Sequence, residues 1–400
     1  MVQRVEIIML KGRNKKEAQR LCHLSKNLYN TANYEMRQSF IAEDRKSGYQ
    51  ISKEFAKYNQ SDYRALPAQC SQQIINLLEK NWKSFFKSVK DWKKNPNKYK
   101  GRPKLPKYKD KDGYNVLIIT SQQIGNKLTQ NGYLKLPKGI DLRIKTRIQL
   151  EQIKQIRIVP EATCFKCEIV YEKEIVKNEN LKIENKISID LGVNNLATMY
   201  SNVDEKSFII NGRPLKSINQ FYNKKLAKLH FFAENKSSKR IKNFTKRRNN
   251  KVKDYVHKAS RWIINYCKDH NIGHLIIGKN DGWKQKSKMS KKVNQHFVDI
   301  PFEMLINQLV YKAEDVGITV ELTEESYTSK TDHLAGESFG HKDKYLGKRV
   351  YRGLFQSSTG KVINADVNGA IGIMRKVVGD SLVTKIADSV GAFTPVMITP

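Results

Sequence analysis

Two aspartates and a pair of adjacent glutamates are the residues of this chain whose setting suits chemistry. Asp190 ends the run Ile187-Ser188-Ile189-Asp190-Leu191-Gly192, Glu324 and Glu325 follow Glu321-Leu322-Thr323, and Asp366 lies in Ile363-Asn364-Ala365-Asp366-Val367-Asn368-Gly369. All sit beside apolar segments in a chain of formal net charge +35. Carboxylates gathered in a cationic body suit metal-dependent attack on a phosphodiester. Hard oxygen ligands hold a divalent cation at the scissile phosphate, and the surplus Lys and Arg hold the backbone. Two Mg²⁺ ions about 3.5 to 4 Å apart would activate water and stabilise the leaving oxygen, with no Ser or Cys nucleophile.

Each acid also has a plainer reading. Asp190 precedes a glycine turn at a strand end, where aspartates commonly cap turns. Asp366 falls in the first turn of a helix with Asn364 as N-cap, where negative charge complements the helix dipole. Successive side chains of an extended segment face opposite ways, so only one of Glu324 and Glu325 can join the aspartates. Counting in twos from Val320 and Leu322 favours Glu324, which makes Asp190, Glu324 and Asp366 the expected metal ligands, with Glu325 kept as the alternative catalytic acid.

The elements that must position these acids belong to a chain of 400 residues with 74 Lys and Arg, 39 Asp and Glu, and 39% hydrophobic residues. That composition supports two or three domains with real cores and a polyanionic partner. No apolar run approaches the roughly 18 residues of a membrane span, and an odd count of five cysteines argues against a secreted disulfide framework, so a cytoplasmic protein with reduced thiols is expected. Cys164 and Cys167 have CxxC spacing without a second pair and read as partly buried thiols.

Residues 3–10 alternate as a strand, and 14–46 read as a basic amphipathic helix. A second helix fits 68–93, with Lys83, Lys87 and Lys90 turned outward to solvent or phosphate. Prolines and a glycine end it. The loop that follows interleaves aromatic rings with cations at Lys98, Tyr99, Lys100, Arg102, Lys104, Lys107 and Tyr108, which suits base stacking and phosphate binding along a single strand. Short alternating runs between 114 and 174, such as 132–136, fit a small antiparallel sheet or barrel, and 175–186 reads as a linker. Strands at 187–191, 196–201, 206–211, 274–278 and 318–323, helical stretches at 215–270, 300–316 and 365–378, and an irregular segment 326–362 then give a mixed α/β order. Trp283 and Lys284 open a basic segment suited to nucleic-acid contact.

These motifs, together with Leu66-Pro67-Ala68-Gln69, Gly101-Arg102-Pro103-Lys104-Leu105-Pro106-Lys107-Tyr108, Ile277-Gly278-Lys279-Asn280 and Tyr327-Thr328-Ser329-Lys330, resemble the TnpB (OrfB-type) transposon-encoded proteins, compact relatives of type V CRISPR effectors. The resemblance covers most of the chain. It implies an RNase H-like, RuvC-type nuclease domain over 181–400 with an insertion at about 326–363, a wedge-like β-barrel built from 1–12 and 104–180, and a helical recognition domain over 13–103. It further implies Asp190 and Asp366 as the first and third acids, Mg²⁺ as cofactor, and cleavage of double-stranded DNA directed by a transposon-derived guide RNA. The number of protomers stays open.

Two departures from the family pattern matter. Many relatives carry the second acid at the end of the strand that here reads His274-Leu275-Ile276-Ile277-Gly278, yet no carboxylate follows until Asp281. Adjacent strands lie only about 4.8 Å apart, so a glutamate from 324 or 325 can supply the missing group across the sheet. Many relatives also insert a four-cysteine zinc ribbon before the third acid, whereas 326–363 hold no cysteine and only His333 and His341 as soft ligands, so no zinc is expected. The alternative functions are a nuclease-inactive, RNA-guided DNA-binding repressor, a direct transposase acting on transposon ends, and a plain RNA-binding protein.

Overall fold

A computed structural model describes residues 1–175, 178–232, 238–279, 300–381 and 390–400. The chain divides into two compact units, Met1–Glu174 and Ile175–Pro400.

In the first unit, strict alternation over β1 (Val2–Leu10) exposes every second residue until Leu10 is buried. A long helix α1 (Gly12–Ile41) buries Ala18, Leu21, Leu28 and Ala32 along one stripe. It stops short of the expected residue 46, because Glu43 adopts a left-handed φ of 58°. A reciprocal Ser47–Gln50 capping box then starts α2 (Gly48–Lys57), and a single turn α3 (Ser61–Arg64) leads into α4 (Ala68–Lys94). Four strands pair antiparallel in the order β1, β4 (Phe165–Lys173), β3 (Ile153–Pro160), β2 (Leu117–Thr120). Among the described residues no ladder joins β1 to β2, so this sheet is open rather than a closed barrel. The run 132–136 forms no strand; Leu134 N–H donates to Ile144 carbonyl in an isolated bond of 2.9 Å. Helices and sheet share one hydrophobic core. Cys164 and Cys167 are buried in this unit, and burial pushes the Cys167 thiol up to about 12.

The second unit is built on six strands in the order β13 (Val396–Ile398), β7 (Ser207–Asn211), β6 (Asn195–Ser201), β5 (Lys182–Leu191), β8 (Ile272–Gly278), β9 (Thr319–Thr323). Pairings β5–β6 and β6–β7 are antiparallel, whereas β5–β8, β8–β9 and β7–β13 are parallel. The expected linker therefore ends early, since β5 starts at Lys182. The helical stretch 215–270 is two helices, α5 (Arg213–Phe231) and α6 (Lys239–Asp269). Within the irregular segment stand three short strands, β10 (Lys348–Tyr351), β11 (Leu354–Gln356) and β12 (Val362–Asn364), which form a separate antiparallel sheet.

Period-two alternation assigns the faces of the main sheet. Ile187, Ile189, Leu275 and Ile277 join the core with α6 and α7 (Phe302–Glu314), while Tyr200 and Ile276 join the core with α8 (Ala365–Val378). Asp190 shares parity with Ser188, whose hydroxyl donates to the Ala370 carbonyl of α8 at 2.7 Å. Among the described residues no helix is long and apolar enough to cross a membrane.

One buried cation ties α7 to α6. Lys312 Nζ donates to Ser260 Oγ at 2.6 Å and to the His257 carbonyl at 2.9 Å. Burial, and then the Arg261 charge, push its ammonium down to about 8 from 10.5. The unfolded chain thus binds this proton more tightly than the folded one, so between those values stability rises with pH. The urea midpoint of the wild type should rise relative to that of Lys312→Met as pH goes from about 8 to 10.5; a constant difference between the two would exclude the effect.

Candidate active site

Asp190 sits at the end of β5, opposite Thr198 of β6 and on the face covered by α8. The helix comes so close that a Cβ at Gly369 would lie 2.7 Å from Asp190 Oδ2. Asp366 occupies the first turn of the same helix. Asn364 caps that helix, its side-chain oxygen accepting from the Asp366 and Val367 N–H groups at 2.9 and 3.3 Å. Asn195, just past the Asp190 turn, donates from Nδ2 to Asp366 Oδ2 at 2.7 Å and so links the start of β6 to the helix.

Of the two glutamates, the structure turns Glu325 rather than Glu324 toward Asp190. Counting from Val320 and Leu322 started on the wrong face. Register pairs Leu275 with Val320 and Ile277 with Leu322, all on the α6–α7 side, whereas Ile276 pairs with Glu321 and Gly278 with Thr323 on the α8 side. Continuing that second parity reaches 325. Glu324 is exposed and accepts from Ser326 Oγ at 2.5 Å.

Gly278 lies one residue beyond the Ile189–Ile277 pair, beside Asp190. A Cβ there would overlap Ile373 of α8 and come within 3.1 Å of Glu325 Oε2. The space next to the empty β8 position is thus already taken by the glutamate from the neighbouring strand's end.

Like charges meet here. Burial, then Glu325, then Asp366 hold the Asp190 carboxyl well above the usual carboxylate range, with Arg349 of β10 opposing them. Burial pushes Glu325 up to about 7 against the pull of Lys376. The fold therefore places two carboxylates, Glu325 and Asp366, where each disfavours ionisation of Asp190, a cost that a bound cation would relieve. Among the described residues, no three His, Cys, Asp or Glu side chains are drawn close enough to hold a metal ion as they stand.

Sequence reasoning missed Arg349 and assigned no role to Asn195. Asn195 lies three residues past the quoted Asp190 run, and only its contact with Asp366 gives it meaning, while Arg349 falls in a segment with no periodic signal. The same segment holds a polar network. Asp332 accepts from Ser357 Oγ at 2.9 Å and Ser358 N–H at 2.7 Å, while Glu337 accepts from the Asp332 and Leu346 N–H groups. Arg375 of α8 donates to the Gly336 and Glu337 carbonyls and anchors the segment to the helix. His333 is buried against the Thr328 carbonyl at 2.8 Å, and burial lowers it to about 4; His341 is exposed.

In the first unit, Lys83, Lys87, Lys90, Lys100, Arg102, Lys104 and Lys107 are exposed. Lys98 and Tyr99 instead bind Asp91, at 3.0 and 2.6 Å, which fastens the loop to the end of α4. The Tyr108 ring lies 4.5 Å from the Arg37 guanidinium. Trp283, Lys284 and Asp281 lie outside the described residues.

A family model described as a probable transposase, OrfB_IS605, matches residues 168–284, and one described as Cas12f1-like, TNB domain, matches 302–373. TnpB-like protein MJ0751 of Methanocaldococcus jannaschii is 27% identical over 176 residues, a stretch covering 42% of this chain and 62% of that protein, less than two thirds of it. TnpB-like protein ORF457 of Acidianus two-tailed virus is 23% identical across 92% of this chain and 85% of its own length. A solved Cas12f1-sgRNA-target DNA complex is similar at a TM-score of 0.38 and 14% identity, over 93% of this chain and 99% of that one. The family and relative matches, spread across the second unit and beyond it, make this chain similar to TnpB-like proteins.

Proposed function

We propose that the chain is an RNA-guided endonuclease that hydrolyses double-stranded DNA with a divalent cation. The observation that carries this reading is the approach of Glu325, from just past β9, and of Asp366, from α8, to Asp190 at the end of β5 in a protein of net charge +35. A sheet with three antiparallel strands followed by two parallel ones fits an RNase H-like, RuvC-type domain. The exposed cations of α4 and the following loop suit an RNA or RNA–DNA duplex gripped by charge, with base pairing supplying sequence.

Asp190, Glu325 and Asp366 offer only hard oxygen donors, the chemistry Mg²⁺ takes, and would hold the ion once their side chains close on it. When bound, the ion neutralises phosphate charge and makes water more acidic. The rest falls to the chain itself. Asn195 and Asn364 orient Asp366, Gly369 keeps α8 close to Asp190, and Arg349 brings a positive charge that a phosphate oxygen can share.

The second reading is a nuclease-inactive, RNA-guided DNA-binding repressor. Its specific support is that the three carboxylates do not stand in ready ligand geometry. Cleavage decides between them. Protein carrying its co-purifying RNA, given matched duplex DNA and Mg²⁺, should break the DNA, and chelation should stop it. Asp190→Ala and Glu325→Ala should each slow cleavage at least about a hundredfold while binding persists, and Asn195→Ala about ten- to hundredfold. Glu324→Ala should keep near-wild-type rates. Tight binding without breaks in the wild type selects the repressor, and loss of cleavage in Glu324→Ala but not Glu325→Ala reverses the assignment.

A metal readout is independent of cleavage. Mg²⁺ should raise the melting temperature of the wild type and leave Glu325→Gln and Asp190→Asn unmoved, since only a ligand of the folded state stabilises. An equal rise in all three proteins would place the ion elsewhere.

A further inference from the structure

Between α1 and α4 opens a cleft of about 240 Å³, lined by Phe40, Arg45, Lys46, Glu79, Trp82 and Phe86. Three of its rings form one cluster, with Phe40 and Trp82 centroids 5.6 Å apart, Phe40 and Phe86 5.8 Å, and Trp82 and Phe86 5.7 Å. Trp82 is buried and fixed by its Nε1 donating to Asn33 at 3.0 Å. Phe40 and Phe86 are only half-buried, and beside their apolar neighbours they meet a guanidinium: Arg45, on the exposed stretch past α1, lies 4.5 Å from the Phe86 centroid and 5.3 Å from that of Phe40. A planar cation stacked on an aromatic face marks a place where another flat group can lie. Charge surrounds the opening. Lys83 pairs with Glu79 at 3.2 Å and is itself largely exposed, and Lys46 pairs with Glu54 at 2.8 Å.

We propose that this cleft takes one unpaired nucleobase of the bound RNA, stacked on the Phe40–Phe86 faces once the exposed Arg45 side chain swings off the rings to cover the other face of the base. Glu79 accepts a base N–H and Lys83 meets the adjoining phosphate. Aromatic rings interleaved with cations are the chemistry of strand binding, in which every base offers a π-face. The inference rests on the RNA-guided reading, and within it RNA is the partner whose loops carry unpaired bases before any DNA is bound.

The test is a dimethyl sulfate and kethoxal footprint of the RNA that co-purifies with the full chain. One unpaired base protected in the wild type should become reactive in both Phe86→Leu, which keeps apolar volume but removes the ring, and Arg45→Gln, which changes only an exposed side chain. In Phe86→Leu, RNA affinity should fall about tenfold with an unchanged salt slope, as expected when stacking but no phosphate contact is lost. Lys83→Ala should shallow that slope instead. Circular dichroism of each variant establishes that the helices remain. Identical footprints in wild type and variants overturn the proposal while leaving the RNA-guided reading intact. Protection of a base on target DNA instead overturns the assignment to RNA, and absence of any co-purifying RNA overturns both readings together.

Discussion

The close seating of α8 on the central sheet is the constraint on which the second unit depends. A side chain at Gly369 would press on Asp190, and one at Gly372 would run into His333 and Thr328. Two positions without side chains therefore let one helix touch the sheet and the irregular segment at once. The helix brings Asp366 to Asp190 at its N-terminal end and Arg375 to the Gly336 and Glu337 carbonyls near its C-terminal end. Ser188 donating to the Ala370 carbonyl locks the contact between them.

That seating also ties down the segment before α8. Buried carboxylates at Asp332 and Glu337 accept hydrogen bonds from N–H and hydroxyl groups of their own loop, and Arg375 satisfies carbonyls from the helix side. Buried polar groups paired in this way rigidify a loop that has little apolar surface of its own. From it projects Arg349, whose charge reaches Asp190. The segment thus contributes to the electrostatics of the site as well as to its wall.

The approach of Glu325 to the end of β8 is a matter of sheet geometry. Positions 278 and 325 lie on the ends of neighbouring parallel strands and on the same face, so a long side chain from the second can fill the space beside the first. Ile373 closes over Gly278 and leaves that space to the Glu325 carboxylate. The cost is visible in Glu325 itself, whose burial pushes it up to about 7.

Much was legible from residues alone. Helical spacing of Ile74, Leu78 and Trp82 located α4, alternation located β1 and β5, and Asn364 marked the start of α8. The types and order of Asp190, the glutamate pair and Asp366 pointed to these acids before any contact was known, because hard acids beside apolar elements in a basic chain admit few uses. Local signals failed where a distant contact made the decision. The choice of Glu325 over Glu324 required knowing that Val320 and Leu322 face the α6–α7 core while Asp190 faces α8, and alternation gives parity without saying which face is which. Arg349, Asn195 and the glycines of α8 acquire their roles only through partners far away in sequence, as does β13, which pairs with β7. Residue chemistry and periodicity are local properties and can be read along the chain; which carboxylates share a face is set by packing, and only the folded sheet and helix decide it.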